Sequence, residues 1–354
     1  MSFWTIIIAI LIFGLIITIH EFGHFIVAKL NGIQVNQFAI VMGQSLLKFQ
    51  KGETEYSLRL FPIGGFCAME GEDDNSSNPR AFGSKKVWQR MTVILAGAFM
   101  NILLGFVLTI VTTSMLRYVP TTIIAEFNSE IDEKTGKEVN LSKSRESGLE
   151  LGDEIIALDG SSILSMKDLS YKLQTTEADS FSVTVKRNGE KITLDNVEFE
   201  NLKTSSVIDF KIKGEKKNPL TVTSYSAKDT VATAKLIWIS LKELVTGKYG
   251  IQELSGPVGT VSVISEVASE GETLKERLSS VMGLTVFITV NVGVFNLLPI
   301  PGLDGSRFLF LIIEGIRRKP IKKEHEAMVH FVGMAALFLF MILITVQDVM
   351  KLFV

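Results

Sequence analysis

Thr18-Ile19-His20-Glu21-Phe22-Gly23-His24-Phe25 continues an apolar run that begins at Met1, and no other stretch restricts the chain as much. Histidine and glutamate are costly in hydrocarbon, so an ionisable cluster inside such a run marks a functional site. On a helix, His20 and His24 lie one turn apart and project from one face, where both imidazoles reach the same metal ion. Glu21 sits beside them, placed to take a proton from an attacking water. This is the H-E-x-x-H arrangement of zinc hydrolases. The run lacks a basic n-region and a small-residue cleavage site, and it leads straight into the candidate ligands. It is therefore expected to be a retained span rather than a signal peptide.

The composition supports membrane insertion. Of 354 residues, 47% are hydrophobic and 21% charged, and the mean hydropathy is +0.32. A net charge of −2 argues against a nucleic-acid partner. The one cysteine, Cys67, rules out a disulfide framework or a CxxC metal site. Four segments can cross a bilayer core of about 30 Å: 3–27, 91–116, 279–299 with a continuation to 313, and 328–346. Lys85, Lys86 and Arg90 precede the second, and Arg317, Arg318, Lys319, Lys322 and Lys323 follow the third. Basic residues near span ends favour the cytoplasmic side, so both termini and the long segment 117–278 are expected outside.

Between the first two spans, Thr54-Glu55-Tyr56-Ser57-Leu58-Arg59-Leu60 alternates as a strand does. Pro62 with Gly64-Gly65 reads as a turn. A β-hairpin beside the metal helix follows, and its open edge could take up an extended substrate. Residues 117–210 form a soluble β-rich region, with Arg187-Asn188-Gly189-Glu190 as a hairpin turn. Within it, the run Ser147 to Gly160 resembles a PDZ domain and implies a groove for peptide segments. Residues 211–278 read as a linker containing an amphipathic helix over 227–246. Val231, Ala234, Trp238, Leu241 and Val245 form its stripe, suited to a membrane surface.

Zinc in a catalytic site takes three protein ligands and a water, so two histidines leave one ligand to find. His325 and His330 lie in and just after a basic loop and read as ordinary residues. Asp304 is the better candidate. It stands in Asn296-Leu297-Leu298-Pro299-Ile300-Pro301-Gly302-Leu303-Asp304-Gly305, where two prolines and two glycines break an apolar segment. Broken helices at membrane depth line polar sites.

Taken together, the chain resembles the site-2 protease family of intramembrane zinc metalloproteases, of the bacterial regulator-of-sigma-E protease type. The matching residues are His20 to Phe25, Thr54 to Leu60 leading into Pro62-Ile63-Gly64-Gly65-Phe66, Met69 to Glu72, and Arg90. Ala96-Gly97, Met100-Asn101, Ser255 to Gly259 and the run from Asn296 to Gly305 complete the match. Ala98 stands where the family usually has proline, and Cys67-Ala68 replaces a typical Val-Lys.

The resemblance implies His20, His24 and Asp304 as zinc ligands, Glu21 as general base and Asn296 as a substrate-positioning residue. It also implies that Gly64, Gly65 and Phe66, in the membrane-associated hairpin, handle substrate. The expected architecture is a multi-pass α-helical membrane protein of about four transmembrane helices, with that β-hairpin and an inserted PDZ-like β-rich domain. Its parts are 1–116, 117–210, 211–278 and 279–354. The expected setting is a bacterial plasma membrane, with the active site toward the cytoplasm. Substrates are transmembrane proteins or peptides, such as membrane-anchored anti-sigma factors or signal-peptide remnants. Two other readings compete: a divalent-metal transporter using the same ligands, and a membrane PDZ adaptor without catalysis.

Overall fold

The computed structural model describes residues 3–72, 76–131, 138–140, 142–175, 178–199, 208–248 and 250–351. It divides into two compact units, residues 1–108 with 241–354, and residues 109–240.

The first unit opens with α1 (Phe3–Leu30), one unbroken helix. Its buried face carries Thr5, Ala9, Ile12, Ile16, His24 and Ala28, while Phe3, Trp4 and Leu11 are exposed on other faces. The helix stops in a Schellman motif. Ile33 N–H donates to the Ala28 carbonyl (2.9 Å) and Gly32 N–H to that of Lys29 (3.0 Å), with Gly32 at φ +66°. β1 (Val35–Lys51) and β2 (Thr54–Met69) then pair antiparallel across the Gly52-Glu53 turn. The register doubles back. Phe38 faces both Tyr56 and Cys67, Ala39 both Ser57 and Phe66, and Ile40 both Leu58 and Gly65. The first half of β1 thus runs between two parts of β2. The reversal expected near Pro62 and Gly64-Gly65 lies inside β2, with Gly64 at φ +74°.

The hairpin turn is tied down by charge. Glu53 accepts from Arg80 (2.6 and 2.8 Å) and from Lys29 Nζ (2.5 Å), and these cations hold its carboxyl down to about 2. α2 (Val87–Met115) then packs closely on α1. A Cβ on Gly23 would lie 2.4 Å from the Ala96 carbonyl oxygen, a distance only glycine permits.

The second unit contains β3 (Val119–Phe127), β4 (Ser129–Ile131), β5 (Glu138–Asn140), α3 (Lys143–Glu146) and β6 (Glu154–Leu158). It continues through β7 (Ser161–Ser162), α4 (Met166–Thr175), β8 (Ser180–Arg187), β9 (Glu190–Glu198), β10 (Phe210–Glu215) and α5 (Pro219–Val245). Its main sheet runs β10-β3-β6-β8-β9, with β7 beside β6. On β8, Phe181, Val183 and Val185 alternate inward to join Leu158, Leu169 and Leu173 in the core. Asn188 (φ +52°) and Gly189 (φ +91°) make the expected turn between β8 and β9.

Two boundaries differ from expectation. The domain does not stop at 210, because β10 adds to the sheet beside β3, a pairing too distant in sequence for local pattern to signal. Of the expected domain, residues 132–137, 141, 176–177 and 200–207 lie outside the described residues. The helix expected over 227–246 starts at Pro219, where Asn218 Oδ1 accepts from Thr221 N–H (2.9 Å). It is no linker helix on its inner side. Asp229, Thr233 and Ile237 are buried, and Lys167–Asp229 (2.6 Å) and Lys235–Asp168 (3.2 Å) tie it to α4. The stripe of Val231, Trp238 and Val245 faces outward.

The first unit resumes with α6 (Pro257–Ser269), α7 (Leu274–Asn296), α8 (Asp304–Arg317) and α9 (Lys323–Lys351). Gly259 N–H in the first turn of α6 donates to Asp348 Oδ2 on α9 (2.7 Å), and α7 opens with a Thr273/Glu276 capping box. Among the described residues four helices are long and apolar enough to cross a membrane: α1, α2, α7 and α9. They coincide with the four expected spans. The third ends at Asn296, and after the Pro299–Gly302 break α8 begins at Asp304.

Candidate metal centre

The site forms where three helices bring polar side chains to one point. His20 Nε2 lies 3.1 Å and His24 Nε2 3.3 Å from Asp304 Oδ2, and the two imidazole nitrogens are 3.2 Å apart. All three ligand atoms fall within 4.8 Å of one another. The helical repeat of α1 sets the histidine pair, and the break before α8 delivers the carboxylate at that helix's first residue.

α2 supplies a wall for this pair. The Val93 carbonyl sits 2.8 Å from His24 Nδ1, and the Asn101 carboxamide nitrogen 3.3 Å from His20 Nδ1. Gly97 stands between them, where a Cβ would lie 2.4 Å from His24 Nε2 and 2.7 Å from His20 Nε2. Positions 93, 97 and 101 share one face of the helix. The carbonyl at Val93 can only accept, so His24 carries a proton on Nδ1 and turns Nε2 toward Asp304. Two imidazoles and a carboxylate, convergent and oriented from behind, are a donor set that suits zinc.

Glu21 faces the hairpin. A Cβ on Gly65 would come within 3.1 Å of Glu21 Cγ, and the Cys67 N–H lies against the Glu21 carboxylate. Gly64 is crowded by Met42, whose Cε would lie 2.7 Å from an added Cβ, and Phe66 is covered by the Arg59 guanidinium (4.6 Å to the ring centroid). The structure therefore brings Gly65 to the site and leaves Gly64 and Phe66 to shape the hairpin. Asn296 ends α7, and its amide donates to the Val292 carbonyl (2.9 Å) on its own helix.

Sequence reasoning missed three supports. Gly97 and Asn101 match the family pattern, yet their contact with the histidines required the packing of α2 on α1. His330, expected as an ordinary loop or helix-end residue, also supports the break before Asp304. It lies on α9, and its Nδ1 accepts from Gly302 N–H (3.3 Å), two residues before Asp304. α8 is further held by Arg90–Glu314 (2.5 Å) and by Arg307–Glu72. These pairs line a cleft of about 1450 Å³ with Lys323 and His330.

A family model for peptidase family M50 matches residues 8–340. The chain belongs to peptidase family M50. A candidate zinc metalloprotease of Clostridium acetobutylicum is 34% identical over 99% of this chain and 98% of its own length. The regulator of sigma-W protease RasP of Bacillus subtilis is 31% identical, over 99% of each chain. The zinc metalloprotease RasP of Bacillus licheniformis is likewise 31% identical over 99% of each. This M50 chain is accordingly a zinc-dependent intramembrane metalloprotease of a biological membrane, acting on membrane-protein substrates. The transporter and adaptor readings fall with that assignment.

Proposed function

We propose that His20, His24 and Asp304 hold the zinc and that Glu21 is the general base of peptide-bond hydrolysis. The observation that carries this is the meeting of residues 20, 24 and 304 within 3.3 Å. Bound there, zinc supplies Lewis-acid polarisation of the scissile carbonyl and makes water more acidic. Glu21 takes the proton of the attacking water and delivers it to the leaving amine. A transmembrane substrate must unwind locally, because its helical carbonyls are hydrogen-bonded and shielded. Residues 65–69 of β2, beside Glu21, pair with the unwound segment, and the lack of a side chain at Gly65 lets this row lie close to Glu21. Phe66, under Arg59, keeps this row in shape. Asn296 turns from its own helix to hold the substrate backbone.

The β-rich unit is read as PDZ-like and as a filter for substrates, with the sheet order β10-β3-β6-β8-β9 and the Ser147–Gly160 run in support. The outward stripe of α5 suits contact with a lipid surface. Lys323 Nζ reaches the carbonyls of Gly71 (3.2 Å) and Glu72 (3.4 Å), and Arg90 pairs with Glu314. These contacts gather both basic clusters at one end of the first unit, which supports a cytoplasmic position for that end and outside positions for the termini. Likeness to the sigma-W regulator points to membrane-anchored anti-sigma factors as substrates, with signal-peptide remnants as the other class.

The test is cleavage of a single-span reporter by the purified chain. Glu21→Gln is expected to retain zinc and lose about 10²- to 10⁴-fold in turnover. Unchanged turnover would remove Glu21 from the mechanism.

A further inference from the structure

Asn101 is fully buried, and among the described residues its side-chain oxygen has no hydrogen-bond partner. Its carboxamide nitrogen faces His20 Nδ1 at 3.3 Å. A histidine that turns Nε2 toward a metal carries its proton on Nδ1, and that N–H requires an acceptor. His24 has one in the Val93 carbonyl. For His20 the group in this position is Asn101, whose nitrogen donates and whose oxygen accepts. A half-turn of the amide exchanges the two, because oxygen and nitrogen occupy equivalent positions. Asn101 is also held firmly. Thr289 Oγ1 donates to its backbone carbonyl (3.1 Å), and a Cβ on Gly293 would lie 3.4 Å from Asn101 Cβ.

We propose that Asn101 is a positioning residue for zinc: its side-chain oxygen accepts from His20 Nδ1–H and so fixes the tautomer and ring orientation of His20. The juxtaposition is one of two helices in step. His20 and His24 on α1 meet Asn101 and the Val93 carbonyl on α2, with Gly97 clearing the space between. The proposal rests on the ligand assignment above.

Equilibrium zinc affinity of the purified full-length protein, measured by competition with a chromogenic chelator, tests it. Asn101→Leu removes the acceptor at similar volume and is expected to weaken binding about 10- to 100-fold. Asn101→Asp restores an acceptor, and is expected to stay within a few-fold of the unsubstituted protein. A role in packing alone gives the reverse order, because leucine suits an apolar interior and an extra buried carboxylate does not. That reverse order, or unchanged affinity in Asn101→Leu, overturns the proposal. Should either variant fail to fold, Asn101→Ala adds neither volume nor charge, and unchanged affinity there overturns it equally. Asp304→Ala run in parallel separates the two layers: if it binds zinc as tightly as the unsubstituted protein, the ligand assignment has failed before Asn101 is reached.

Discussion

Carboxylates wholly or partly withdrawn from solvent occur in both units, and their partners differ. In the β-rich unit Asp153, Asp168 and Asp229 are each matched with a fixed cation: Arg187 at 2.7 Å, Lys235 at 3.2 Å and Lys167 at 2.6 Å. Each pair closes its own charge and joins two elements. In the membrane unit Asp304 is partnered, among the described residues, by His20 and His24. An imidazole is not a permanent cation, so this cluster lacks the fixed positive charge that the other three acids have. A half-buried carboxylate beside two imidazoles suits a divalent ion, as in the assignment proposed above. On the proposed assignment, the same side chain is a tie where lysine or arginine answers it and a ligand where histidine does.

The sharpest way to break this contrast is to neutralise one acid of each kind. Asp304→Asn should reduce bound zinc from about one ion per chain to near none, by elemental analysis, and abolish reporter cleavage. Asp168→Asn should leave zinc unchanged and lower stability by about 1–3 kcal/mol, by thermal unfolding. If Asp168→Asn depletes zinc, the two kinds of acid are not distinct.

A finer cut leaves every ligand in place. Gly97→Ala puts a methyl group against both imidazoles and should weaken zinc about 10- to 100-fold. Gly14→Ala on α1 meets nothing within 4 Å and should bind zinc normally. Equal affinities would mean that α2 does not shape the centre. On the other side of the comparison, Arg187→Ala strands the buried Asp153 and should cost about 3 kcal/mol in unfolding, with zinc content unaltered.

The smallest effect concerns pH at the hairpin turn. Arg80 and Lys29 hold Glu53 down to about 2, so its clamp is complete above the ordinary carboxylate range and is lost as pH falls from about 4.5 through 2. Hydrogen exchange of residues 50–56, taken relative to the intrinsic rate at each pH, should be flat from neutral pH to about 5 and should rise on further acidification. In Glu53→Gln it should be raised at neutral pH as well. Flat exchange in both would show that the sheet alone holds the turn.

Much of this molecule is legible without coordinates, and for stated reasons. Spans emerge because hydrocarbon demands unbroken apolar runs, and the Asn188-Gly189 turn because few residues adopt positive φ. His20, Glu21 and His24 stand out because two histidines four residues apart on a helix share one face. β10 and the inner face of α5 were not readable, since each gains its partner from far along the chain. His330 resembled an ordinary loop or helix-end residue because its partner, Gly302 N–H, is a backbone group that leaves no trace in composition.

What the amino-acid order determined alone was the list of reactive groups, the helices that carry them and the break that frees Asp304 from a regular helix. Only tertiary packing decided that Asp304 would meet the histidine pair, that Gly97 would face the two rings, and that Gly65 would stand beside Glu21. The reason is range. Helical spacing and proline act over a few residues, whereas the distance between residues 24 and 304 is set by how closely α1, α2 and α8 approach, and that depends on small residues such as Gly23 whose neighbours no local pattern reveals.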